Sequence, residues 1–107
     1  MYDIHFACPD DPLLIDTLLD AATAAGAGTS PHYSRVASIT RCEGTWRSEP
    51  GARPHIGAVG EVSVAAMAHI AMRCSEDALA PAIAAIRAAH PFEEPFIGVI
   101  ELHEASV

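Results

Sequence analysis

The sequence contains no lysine. Six arginines stand against fourteen aspartates and glutamates, and the formal net charge is −8. An acidic surface repels phosphate backbones, which argues against a nucleic-acid partner. Without lysine there is also no G-x-x-x-x-G-K-[ST] phosphate loop. Aromatic residues make up 6% of the chain, with Trp46 the single tryptophan. The apolar runs fall far short of the ~20 residues that a membrane span needs. No basic segment followed by an apolar stretch opens the chain, so no secretory leader is expected. The three cysteines, Cys8, Cys42 and Cys74, are odd in number and form no C-x-x-C pair. That spacing suits reduced thiols in a cytoplasmic protein better than a disulfide framework. The six histidines form no H-E-x-x-H motif, and no nucleophile–base–acid set stands out. No enzyme is therefore expected.

What is present is a chain of 107 residues, half of them apolar, enough for one domain with a core. Tyr2 to Cys8 alternates, with Ile4, Phe6 and Cys8 on one face and Asp3 and His5 on the other, which predicts a strand. Asp11 offers an N-cap and Pro12 a first helical residue for a helix running to about Ala25. Leu14, Leu18, Ala21 and Ala25 form its expected buried stripe, and Gly26 and Gly28 end it. A second strand is expected from about His32 to Cys42, followed by a loop over Glu43–Gly60, punctuated by glycines and prolines. A third strand covers Glu61 to Cys74, with Ala68, Ile70, Met72 and Cys74 inward and Met67, His69, Ala71 and Arg73 outward. Ser75 caps a second helix, in which Leu79, Ile83, Ile86 and His90 share a face. Pro81 implies an irregular first turn or a helix starting near Ala80. Pro91 stops that helix, and a fourth strand runs from about Pro95 to His103.

The order β-α-β-β-α-β is that of the ferredoxin-like α+β fold, a four-stranded antiparallel sheet with two helices on one face. Two helices cover only one side of such a sheet. Its open face carries residues that are not strongly polar, so oligomerisation through that face is expected.

Two segments concentrate chemistry-bearing residues. His90, Glu93 and Glu94 surround the turn Ala89-His90-Pro91-Phe92-Glu93-Glu94-Pro95. A histidine nitrogen and carboxylate oxygens could hold a divalent cation. Alternatively, His90 caps the helix and the prolines set the turn. The loop supplies Trp46, Arg47, Arg53 and His55. Arginines suit anionic ligands and tryptophan offers a stacking surface. The same residues suit an interface clamp equally well. Under the expected strand pairing His5 and His69 could lie near each other on the open face, as a trimer-interface metal site or a pH-sensitive contact, with chance proximity the leading reading.

The segment from Ala89 to Pro95 resembles the HPYE-x-P turn of CutA-type proteins. It is still more similar to the HPYEEP turn in the insert domain of the Nif-three-like dinuclear-metal-centre proteins. Gly44-Thr45-Trp46-Arg47 with Gly51-Ala52-Arg53-Pro54-His55-Ile56-Gly57 resembles that domain's G-T-F-R…G-A-N-P-x-I-G loop. Tyr33 and Ala24-Ala25-Gly26-Ala27-Gly28 fit as well, so the resemblance covers about Tyr2 to Leu102. It implies a stand-alone YqfO-type domain with the CutA/PII-like fold, assembled as a homotrimer around its sheets. The large metal-binding domain of the longer relatives has no counterpart in this sequence, and none of their metal ligands carries over. Trp46, Arg53 and His55 depart from the usual residues of the pattern.

In PII-like trimers the loop between strands two and three lies near the turn of a neighbouring subunit. By that resemblance Trp46, Arg47 and Arg53 would face Glu93 and Glu94 across an inter-subunit cleft holding a small ligand. The leading expectation is a non-catalytic binding or regulatory module. Its rivals are a copper-type metal-handling protein, with a divalent ion on His90, Glu93 and His55, and a purely structural trimerisation domain.

Overall fold

The structure is a computed structural model that describes residues 1–103 and 105. Its elements run β1 (Tyr2–Pro9), α1 (Pro12–Ala24), β2 (Ser38–Arg47), β3 (Val62–Cys74), α2 (Glu76–Ala89) and β4 (Ile97–Glu101). The strands form one sheet in the order β2-β3-β1-β4, with every neighbouring pair antiparallel. This is the ferredoxin-like βαββαβ architecture that the order of strands and helices predicts.

Local chemistry sets the helix starts. Asp11 Oδ1 accepts the Leu13 N–H at 3.0 Å and Pro12 takes the first helical position. Ser75 Oγ accepts the Ala78 N–H at 3.4 Å, with Glu76 and Asp77 in the favourable first turn. Helix α2 runs unbroken from Glu76 through Pro81, so neither expected irregularity occurs. Pro81 leaves only the Asp77 carbonyl without its helical partner, near an exposed helix start.

The core lies between the helices and one face of the sheet. Ile4, Phe6 and Cys8 of β1 and Ala68, Ile70, Met72 and Cys74 of β3 are buried there, as their alternation predicts. Helix α2 contributes Ala82 and Ile86, with Leu79 and Ile83 packed beside them. Helix α1 is rotated from its expected stripe. Ile15, Leu18, Leu19 and Ala22 are buried, while Leu14, Ala21 and Ala25 are only partly covered. The helix packs on α2 as well as on the sheet, so its buried face is centred between the two supports. Burial pushes the Cys8 thiol up to about 11, with Asp10 and Asp11 adding to the shift.

The second strand differs most from expectation. It starts at Ser38 rather than His32 and continues past Cys42 to Arg47. Residues 29–37 form a strap tied to α1. Arg35 adopts a left-handed backbone (φ 60°) and donates to Asp16 and Asp20, each at 2.8 Å. Those carboxylates hold the Arg35 guanidinium above its ordinary value. At the other end, Glu43–Arg47 pair with Val62–Ala66 to lengthen the hairpin. Gly44 breaks nothing, because it serves as a slot. A Cβ there would stand 2.6 Å from Met67 Cγ. Met67 is therefore buried on the outward face by its own chain, not left for another subunit.

Candidate functional site

The loop between β2 and β3 spans residues 48–61. Its neck is closed by the Gly60 N–H donating to the Ser48 carbonyl at 2.7 Å and by a parallel bridge between Ser48 and Val59. Compact loops with closed necks often carry function. Gly57, at φ 88°, lies so close to β3 that a Cβ would collide with Ser63 Oγ. The loop curls over the face of the sheet opposite the helices. There the Arg53 N–H donates to Glu93 Oε1 at 2.7 Å.

The turn after α2 is set by its prolines and by His90. Pro91 pushes the preceding residue to extended backbone, and His90 has ψ 135°. That conformation ends the helix and turns the imidazole onto the sheet. His90 Nδ1 accepts the Phe92 N–H at 3.1 Å. Nε2 therefore carries the proton and donates to the Ala7 carbonyl at 2.7 Å. Burial pulls the His90 imidazole below its ordinary value. The Ala7 carbonyl acts in the opposite direction, and His55 adds to the lowering. His90 is thus a neutral staple between the turn and β1.

Between loop and turn lies a cleft of about 660 Å³. Its floor is the open sheet face, with Ala7, Trp46 and Met67, and Phe96 at one side. Its walls are residues 47–56 and Phe92, Glu93 and Glu94. Phe92 is the hub of an aromatic cluster. Its ring centroid lies 6.0 Å from Trp46, 6.1 Å from His55 and 5.0 Å from His90. The volume suits a small organic ligand, since such pockets run about 300–1,000 Å³.

All five expected ligand-binding residues, Trp46, Arg47, Arg53, Glu93 and Glu94, line this one cleft. The expectation set the turn of a neighbouring subunit opposite the loop. A single chain already brings its own loop and turn together. The expected metal set fares differently. His55 and Glu93 line the cleft, but both ring nitrogens of His90 are engaged in hydrogen bonds. Among the described residues, no three histidine, cysteine or carboxylate side chains converge as metal ligands.

Among the described residues, three of the arginines meet a carboxylate, while Arg87 of α2, outside the cleft, and the two cleft arginines do not. Arg35, Arg41 and Arg73 each meet a carboxylate within 4 Å. Among the described residues, Arg47 and Arg53 form no ion pair, although Glu49, Glu93 and Glu94 line the same cleft. Sequence reasoning missed Phe92, Phe96 and Met67 as part of the site. Phe92 lies inside the turn motif, so its neighbours were a usable signal. The burial of Met67 depends on Gly44 across the hairpin and leaves no mark in the local sequence. Among the described residues, no helix is long and apolar enough to cross a membrane.

This architecture is that of the CutA-like α+β domains. CutA from Archaeoglobus fulgidus superposes with a TM-score of 0.72 over 99% of this chain and 88% of its own, at 13% identity. In sequence, the chain is 37% identical over 82 residues to the GTP cyclohydrolase 1 type 2 homolog of Mycobacterium bovis. That match takes in 77% of this chain but 22% of the relative, so the chain spans about a fifth of the curated relative's length. A Bacillus cereus protein related to NIF3 superposes with a TM-score of 0.79 over 96% of this chain and 26% of that protein, at 21% identity. The resemblance to Nif-three-like proteins is thus found in both sequence and structure. No protein-family model matches the chain.

Proposed function

We propose that this chain is a non-catalytic binding module whose cleft takes a planar, anionic small molecule. The observation that carries this reading is the pair of arginines, Arg47 and Arg53, without ion pairs beside an aromatic cluster. In a chain of net charge −8, carboxylates to neutralise them are plentiful. Two arginines without ion pairs in the lining of an aromatic cleft suit an anion brought in by a ligand. Trp46 and Phe92 provide faces for a flat ring. The name of the mycobacterial relative makes guanine nucleotides the natural first members of a ligand panel.

Trp46 is the only tryptophan, so its fluorescence reports on the cleft alone. Titration with guanosine mono- and triphosphate and with flat aromatic carboxylates should give a saturable change. A ligand in the cleft should also raise the thermal midpoint by mass action. Arg47→Gln and Arg53→Gln should each weaken binding at least ~10-fold, the scale of one charge-assisted contact of about 1.5–3 kcal/mol. Equal affinity in both variants would remove the arginines from the site.

The reading includes assembly of the chain as a homotrimer through the open sheet face. Its support is the apolar surface left uncovered, with Phe96 and Ile100 57% and 53% exposed. Native mass spectrometry tests it, and a monomer at low micromolar concentration would refute it. The rival reading, a divalent ion held by His90, Glu93 and His55, requires His90 to give up one of its two hydrogen bonds to free a ring nitrogen. It predicts a stability gain that a chelator removes. The third reading, a purely structural domain, predicts no ligand-dependent gain at all.

A further inference from the structure

The open face of the sheet carries a second group of side chains outside the cleft. His5 lies in the middle of β1 and His69 on β3. The register pairs His5 with Ala71 and Ala7 with His69, so the two histidines sit diagonally on one face. Their ring centroids are 5.4 Å apart, with the planes inclined by 45°. His5 Nε2 is closed off from solvent and has no hydrogen-bond partner among the described residues. The carboxylate of Asp3 stands nearest, at 3.8 Å, which is beyond hydrogen-bond length. Native folds rarely leave a buried polar atom unpaired, and each such atom calls for a physical reason. Phe96 closes one side of the pair. Its ring lies 6.1 Å from the His69 ring and over Gly98, the β4 residue opposite His5.

We propose that His5 and His69 form a two-histidine chelate for a borderline divalent transition ion of the zinc, nickel or copper(II) class. Two imidazoles on one tetrahedral ion, with metal–nitrogen bonds of about 2.0–2.1 Å, hold their ring centroids roughly 5 Å apart. The observed separation meets that requirement with little movement. The orphaned Nε2 supplies a lone pair without breaking any existing bond, which His90 cannot do. Asp3 places a carboxylate beside the ion, and Arg73 Nε, 3.8 Å from the other Asp3 oxygen, offsets part of that charge. Imidazole nitrogen favours zinc, nickel and copper, whereas magnesium and calcium prefer oxygen ligands. With two protein ligands from the chain, the affinity belongs in the micromolar range rather than that of a four-ligand structural site. The proposal is independent of the cleft ligand, because Arg47, Arg53 and Phe92 take no part in it.

The test is calorimetry on the full chain, without a histidine tag, titrated with zinc and with nickel. A saturable phase is expected with either ion and none with magnesium. His5→Gln and His69→Gln should each weaken that phase at least ~10-fold, the lower end of what even outer-shell changes do to metal sites. His32→Gln and His103→Gln should leave it unchanged. With copper(II), electron paramagnetic resonance should show coupling to two nitrogens in the wild type and lose it in the double variant. His69 is partly exposed, so His69→Gln carries the test alone if His5→Gln fails to fold. Unchanged zinc affinity in His69→Gln, or equal binding of magnesium, would overturn the proposal.

Discussion

The two faces of the sheet are built on different principles. The helix-covered face buries Ile4, Phe6, Ile70 and Met72 completely or nearly so, among aliphatic neighbours that ask for nothing but close packing. The open face holds His5, His69, Trp46, Met67 and Phe96, and it is covered in part by a loop and a turn of the same chain. On the first face every residue is interchangeable with another of like size and polarity. On the second, position and chemistry both matter: His90 fixes the turn, Gly44 admits Met67, and Phe92 gathers Trp46, His55 and His90. A ferredoxin-like sheet with helices on one side thus separates a packed apolar face from a face that carries polar and aromatic groups. One face secures the fold, which frees the other to carry polar groups that a core would not tolerate.

The largest effect belongs to the packed face. Phe6→Ala should cost roughly 3–5 kcal/mol, because it empties a fully buried site that helices and sheet enclose. Chemical denaturation measures it, and a loss below about 1 kcal/mol would erase the distinction between the faces. Next comes the staple between them. His90→Ala removes the bonds to the Ala7 carbonyl and the Phe92 N–H and should cost about 2 kcal/mol. It should also abolish ligand-induced changes in Trp46 fluorescence, because the turn would no longer hold one wall of the cleft.

The same staple gives the fold an acid limit. The folded His90 value lies below the ordinary 6.5, so the unfolded chain binds the proton more readily. The contribution is fully present above pH 6.5 and is lost as the pH falls through the window between 6.5 and the lower folded value. Comparing wild type with His90→Gln across that window isolates the contribution, and parallel pH profiles would contradict it. The smallest effect is expected at the strap. Arg35→Ala breaks exposed ion pairs and should barely move the denaturation midpoint in moderate salt. Arg35→Gly should be the more stable of the two substitutions, because it relieves the left-handed backbone.

Much of the packed face could be read in advance, and much of the open face could not. The alternation of β1 and the inward face of β3 report a strand between core and solvent, and caps at Asp11 and Ser75 mark both helix starts. β2 is an edge strand in which most side chains are exposed, so no apolar alternation announces it. Glycine in a strand reads as a break unless the residue packed against it is known, and at Gly44 that residue is Met67. Helix α1 shows how a stripe can be displaced when two supports share one helix. The gathering of Trp46, Arg47, Arg53, Glu93 and Glu94 around one cleft was legible from the motifs, because loop and turn each carry a recognisable pattern. The commitment of His90 was hidden, since its partner Ala7 lies 83 residues away in the sequence.

Under the proposed function, the cleft between loop and turn binds a flat anion through Arg47 and Arg53. The most direct measurement is a Trp46 fluorescence titration of wild type, Arg47→Gln and Arg53→Gln with guanosine monophosphate, guanosine triphosphate and their neutral nucleoside. A saturable change is expected with the charged ligands, at least ~10-fold weaker in each variant, with a much weaker response to guanosine. A response to guanosine as strong as to the nucleotides, or variants that bind like the wild type, would contradict it.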